Sequence, residues 1–309
     1  MTVLIPGIAG AIARQVARRL AESGHQVVGL DVRPWPDAPK GIEAHTVDLR
    51  KRAAEELFRR FRPEAVVHMA TVSGLARAGE ERYRINLGGT RAVFEHARRY
   101  GVKHVVFVGR HTYYGAGPDT PLYHTEDEPP QALASYPELG DLVAADLYAA
   151  TALWRAPEMT TSILRLVYTL GPSGSGTLAG FLRGRAVPLV LGFDPLFHFV
   201  HEDDAAKAIV TTVEKRPRGV FNICGPQPVP LSLIARHAGR PVLPLPEALL
   251  GLLLGRAGLP RLSRGALAHV KYPIVVDGTA FRAATGFSHD FDEVATLRGF
   301  AEHFPRNAD

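Results

Sequence analysis

Two places in the 309-residue chain carry residue types at spacings that could do chemistry. The first is "VLIPGIAGAIARQVA", residues 3–17, where Gly7, Gly10 and Ala13 recur three apart at the junction of an apolar run and an amphipathic one. Gly7 permits a tight turn, Gly10 lets a pyrophosphate reach the free N–H groups of a helix N-terminus, and Ala13 lets helix and strand pack closely. Asp31 follows at the end of the next apolar run, "HQVVGLD". A carboxylate there suits the ribose diol of NAD and repels the 2′-phosphate of NADP. Arg33 works the other way, because it offers a phosphate contact. The pattern predicts NAD, with NADP as the alternative. The second place is "FVGRHTYYG", residues 107–115, which reads as a strand end entering a turn.

Both places need a scaffold. "TVLIP", "HQVVGLD", "AVVHMA", "HVVFVG", "TSILRL" and "VFNICG" are apolar nearly throughout, as buried parallel strands are. Between them "AIARQVARRLAES", "AAEELFRRF", "YRINLGGTRAVFEHARRYG" and "PELGDLVAADLYAATALW" carry helical periodicity. The alternation predicts an α/β fold: a Rossmann-type, doubly wound parallel sheet over residues 1–170. Residues 171–309 read mainly as a smaller C-terminal substrate lobe, with 197–224 returning to the main sheet.

Composition narrows the partners. Lys and Arg number 36 against 31 Asp and Glu, and the arginines are scattered along helix faces without interleaved aromatics. That argues against a nucleic-acid surface. Cys224 is the only cysteine, which excludes an internal disulfide and fits a reducing compartment. The N-terminus lacks the pattern of a signal peptide. The apolar run "ALLGLLLG" is too short to span a bilayer. A cytoplasmic protein without membrane partners is expected. The surrounding "PLPEALLGLLLGRAGLP", residues 244–260, reads as an amphipathic lobe helix, or else as a partner or membrane-surface contact. His198, His201, Asp203 and Asp204 lie close in sequence, but no His-Glu-x-x-His or Cys pair exists, and no metal site is expected.

Taken in order, the motifs resemble the NAD-dependent epimerase/dehydratase family of extended short-chain dehydrogenases/reductases, in particular its UDP-glucose 4-epimerase-like members. "VDLR", "VVHMAT", "NLGGT", "FVGRHTYYG", "LRLVYTLGP", "FVHEDDAAKAI" and "YPIVVDGTAFRAATGF" all match family signatures, so the resemblance covers nearly the whole chain. It implies Asp48 near adenine, Ala70 beside the cofactor and Asn86 in the Asn-x-x-Gly-Thr position. Ile8, Ala9, Leu49, Met69 and Val108, next to these positions, complete the expected cofactor contacts. It also implies a homodimer through the helices at 82–99 and 138–155.

The family's usual chemistry uses a tyrosine, a lysine four residues on, and a Ser/Thr hydroxyl. None of the nine tyrosines has that lysine, and no lysine lies between Lys103 and Lys207. Aligned on Asp146, Glu138 falls in the tyrosine position and Leu142 in the lysine position, while Arg110 takes the serine position. Tyr136, two residues from Glu138, could still present a phenol after a local shift. One reading is a rebuilt site on a small hydroxyl- or keto-bearing substrate, with Arg110 holding an oxyanion or carboxylate and Tyr114, His111 or Glu138 handling the proton. The other is that Arg110 and Glu138 pair and fill an emptied pocket, leaving a dinucleotide-binding pseudoenzyme that senses redox state or scaffolds a partner. Phe197 stands where sugar-nucleotide members carry a diphosphate-gripping arginine, which argues against a UDP-sugar. Arg165 and Arg183 are the other anion partners weighed, with structural roles expected for both.

Overall fold

The computed structural model describes residues 1–72, 79–253 and 264–305. Among them, seven strands form one parallel sheet: β1 (Thr2–Pro6), β2 (Gln26–Asp31), β3 (Ile42–Thr46), β4 (Ala65–His68), β5 (His104–Arg110), β6 (Thr160–Leu166) and β7 (Gly219–Ile223). Their spatial order is β7-β6-β5-β4-β1-β2-β3. The register places Val3 opposite Val27 on one side of β1 and opposite Ala65 on the other. Val3, Leu4, Ile5, Val66 and Val67 are all fully buried, because helices cover both faces. Burying each such side chain contributes about 1.5–3 kcal/mol.

Three helices cover one face: α2 (Arg52–Phe61), α3 (Gly79–Arg99) and α4 (Gly140–Arg155). On the other face α1 (Ala11–Glu22) packs against α5 (Glu202–Lys215) through Val16, Leu20, Ile209 and Val213. The His201 ring caps α5 by accepting the Asp203 N–H at 3.1 Å, which accounts for the acidic run that follows it.

The C-terminal part builds its own apolar cluster from Leu178, Phe181, Leu189, Phe199, Ile234 and Phe300. Within residues 197–224, α5 and β7 join the main layers, whereas Phe199–His201 pairs in parallel with Tyr168–Leu170 outside the seven-stranded sheet. Glu247–Leu253 is helical; the rest of the apolar stretch at 244–260, from 254 on, lies outside the described residues. Among the described residues no helix is long and apolar enough to cross a membrane.

The chain runs from β1 to β2 and β3 on one side, then returns to β4 on the other side of β1. The loops after β1 and β4 therefore diverge at their carboxyl ends and open a crevice, the usual place for a ligand in such sheets.

Candidate functional site

A cavity of about 880 Å³ occupies that crevice and continues between the main sheet and the C-terminal segment. Its first end is the turn after β1. Gly7 has φ +90°, and a Cβ there would stand 2.6 Å from the Ala70 nitrogen. Only glycine gives this turn without strain. The Gly7 N–H donates to the Leu30 carbonyl at 2.7 Å, fixing the turn beside β2. Gly10 caps α1, and no acidic side chain occupies the first turn of that helix, so its N-terminus is electropositive and faces the cavity. One Asp31 carboxylate oxygen accepts the Ala9 N–H at 3.1 Å and the other accepts the Arg33 N–H at 2.9 Å. The exposed Arg33 guanidinium touches the same carboxylate only at 3.4 Å.

Of the residues expected at the cofactor, Gly7, Gly10, Asp31, Arg33, Asp48, Leu49, Met69, Ala70 and Val108 line the cavity. Three do not. Ile8 is 1% exposed and packs under the turn, where a Cβ on Gly29 would collide with it. Ala9 contributes its N–H to Asp31 instead of a cavity surface. Asn86 is fully buried on α3; its amide accepts the Val72 N–H at 2.7 Å and donates to the Val72 carbonyl at 2.9 Å. It shapes the loop after β4 from behind. Arg50 also lines this end, paired with Asp48 at 2.7 Å, and that contact holds the Asp48 carboxyl below its ordinary pKa.

The inner end is built by the loop after β5 and by the C-terminal segment. Arg110 lines it, half-buried, and burial lowers its pKa. Among the described residues it has no ion pair, and its Nε is buried without a partner. Tyr168 stands close enough for each to feel the other's charge. Burial pushes the Tyr168 phenol up to about 12, and the ring stacks on Phe197 at 5.6 Å. Tyr136 lines the same space, with its ring edge-on to His269 at 5.3 Å. His111 is edge-on to Tyr168 at 4.5 Å, and its Nδ1 lies 3.1 Å from the Leu166 carbonyl, so Nδ1–H donates there and Nε2 carries the lone pair. Burial pushes His111 down to about 3 and His269 down to about 4, so both rings are neutral near pH 7.

This sheet, turn and cavity have relatives. Residues 3–224 match the family model described as the NAD dependent epimerase/dehydratase family. The chain belongs to that family. An uncharacterized protein of Mycobacterium tuberculosis is 27% identical over 98% of this chain and 83% of its own length. A Streptomyces protein named 3-diazoavenalumate denitrifying reductase is 29% identical over 82% of this chain and 88% of its own. In fold, the chain is similar to the Thermus thermophilus UDP-glucose 4-epimerase complex with NAD, with TM-score 0.78, 22% identity and full coverage of both chains. It is also similar to the Bacillus anthracis dTDP-glucose 4,6-dehydratase complex with NAD, with TM-score 0.77 and 15% identity over 99% and 97%.

Against the family's pattern, two expected catalytic residues are not where chemistry could use them. Glu138 is exposed in a short 3-10 turn, does not line the cavity and makes no ion pair with Arg110. Pro137 ahead of it and the turn at 137–139 point it to solvent, so the paired-and-filled reading does not describe this site. Tyr114 is fully buried away from the cavity. Its hydroxyl donates to Asn222 Oδ1 at 2.8 Å and accepts from Arg165 at 3.0 Å, and its ring stacks on His124. It sits there because Gly115, at φ +77°, folds the chain back against Gln131 and Ala132. Arg165 is bound to Asp146, and Arg183 lies over the Phe304 ring, so neither faces the cavity. Phe197 is cavity wall, as its type suggests. Leu142, in the family's lysine position, lines the cavity with Leu139. Tyr168 and His269 were not among the sequence candidates. Tyr168 had a readable signal, since it lies two residues past a strand whose carboxyl end must face the crevice. Among the described residues no group of three potential metal ligands occurs.

Proposed function

We propose that this family member is an NAD(H)-dependent oxidoreductase that acts on a small hydroxyl- or keto-bearing substrate through Arg110, Tyr168 and Tyr136. The observation that carries the reading is Arg110 lining the cavity beside the Tyr168 phenol, with no carboxylate partner among the described residues. The Gly7 turn and the α1 N-terminus fit a pyrophosphate, Asp31 fits a ribose diol, and Asp48 and Leu49 border the adenine end. Two solved structures of similar fold were obtained with NAD, and a relative is named as a reductase. When bound, the nicotinamide supplies the site that accepts or gives a hydride. The protein's part is to hold the substrate oxygen. A phenol raised to about 12 stays protonated and donates a hydrogen bond to a carbonyl. Arg110 stabilises the negative charge that develops on that oxygen. With no lysine to lower its pKa, the phenol rests protonated, the form that can give a proton to a carbonyl oxygen as it is reduced. Asp31 favours NADH over NADPH.

A pseudoenzyme is the second reading, favoured by Leu142 in the lysine position. NADH oxidation over a panel of aldehydes and ketones separates the two. Turnover that drops at least about a hundredfold in Tyr168→Phe supports the oxidoreductase. NADH binding with no turnover of any substrate supports the pseudoenzyme.

We also propose a homodimer through α3 and α4, on which Tyr83, Leu147 and Trp154 are exposed. A reducing, cytoplasmic setting suits the single buried Cys224.

A further inference from the structure

We propose that the inner end of the cavity is a carboxylate subsite, and that the substrate is a small acid with an aromatic or branched apolar body. The inference rests on the oxidoreductase reading and names its substrate class.

Among the described residues three arginines line the cavity. Arg33 and Arg50, at the adenosine end, are bound to Asp31 and Asp48. Arg110 is the one whose guanidinium has no carboxylate partner among the described residues. A guanidinium whose Nε is buried without a partner is costly to leave unmet, and a planar carboxylate matches its paired N–H donors.

Besides Arg110 Nε, the His111 and His269 Nε2 atoms are buried without partners, and both rings line the same space. His111 is 2% exposed and His269 is 7% exposed. Three orphaned polar atoms around one apolar chamber are far from the usual satisfied interior. A bound acid would meet Arg110 Nε, and a hydroxyl near its carboxylate would donate to the His111 Nε2 lone pair.

Leu178, Phe181, Phe197, Val270 and the Tyr168 ring enclose this end. Among the described residues it holds one cation and two neutral imidazoles. A monoanion with an apolar body fits both the charge and the surface.

The test is calorimetric titration of the full chain, with and without saturating NADH, using benzoate and 3-phenylpropionate against their neutral amides. ADP-ribose, which lacks the nicotinamide, serves as the control for an intact cleft. The acids are expected to bind at least about tenfold more tightly than the amides. Arg110→Met should abolish that preference while ADP-ribose still binds. If Arg110→Met does not fold, the comparison of acid with amide in the unaltered protein decides alone. Equal affinity for acid and amide, no binding of either acid, or a preference that survives Arg110→Met would each overturn the proposal. UDP-glucose binding more tightly than either acid would do so as well. Acid binding without NADH binding would keep the subsite and remove the dinucleotide reading; NADH binding without acid binding would do the reverse.

Discussion

Arg165 on β6 and Asp146 on α4 form a buried ion pair at 2.9 Å, and the same guanidinium donates to the Tyr114 hydroxyl at 3.0 Å. Both members of the pair are 2% exposed. Burial alone would lower the Arg165 pKa, but Asp146 and Tyr114 beside it hold it above its ordinary value. This cluster ties α4, β6 and the turn after β5 together behind the cavity floor. Tyr114 is therefore structural in this account. Asp146→Ala strands the buried guanidinium and should cost about 3–5 kcal/mol in urea unfolding. Tyr114→Phe should cost about 1–2 kcal/mol and leave ADP-ribose affinity intact. Loss of turnover in Tyr114→Phe without loss of stability would return Tyr114 to the chemistry.

The turn at Gly7 permits no side chain. Gly7→Ala combines a positive φ with a Cβ 2.6 Å from backbone atoms of Met69 and Ala70. Strain of about 1–3 kcal/mol must be relieved by moving the loop after β4, and dinucleotide affinity should fall about tenfold to a hundredfold. Fluorescence titration with NADH measures this, and an unchanged affinity would show that the turn does not shape the site.

Acid should destabilise the protein early. Burial pushes His68 and His111 down to about 3, and His104, His198 and His269 down to about 4. An unfolded histidine takes up a proton near pH 6.5. Below that point the unfolded state binds more protons than the folded one, so stability falls as the pH drops from about 6.5 towards 4. Each such histidine withdraws up to about 2 kcal/mol by pH 5. Melting temperatures across this window should decline steeply below 6.5 and stay flat just above it.

The proposed dimer has a direct probe. Trp154, 77% exposed at the end of α4, should lie in or beside the contact. Trp154→Glu should shift the mass measured by light scattering from two chains to one, with cofactor binding retained. A monomeric unaltered chain would remove the dimer proposal.

The sheet was readable where strands are buried on both faces, because "TVLIP" and "HVVFVG" allow little else. β3 was not, since "IEAHT" is an edge strand with only Ile42 buried. The turn after β1 was readable because it depends on backbone conformation, which glycine spacing records. The inner end was not, because it is assembled from residues far apart in the chain. Tyr136, Tyr168 and His269 meet only after β6 and the C-terminal segment have folded around Arg110. Helical phase put Glu138 in the tyrosine position, but a 3-10 turn begins at Pro137 and rotates it to solvent.

The central claim is that the crevice is a dinucleotide site with a preference set by Asp31. Calorimetric titration of the purified chain with NAD, NADH, NADP and NADPH, with any co-purified nucleotide released and identified, tests it most directly. The account predicts binding of NAD and NADH, at least about tenfold weaker binding of NADP and NADPH, and a narrowed difference in Asp31→Ser. Failure of all four to bind would contradict it.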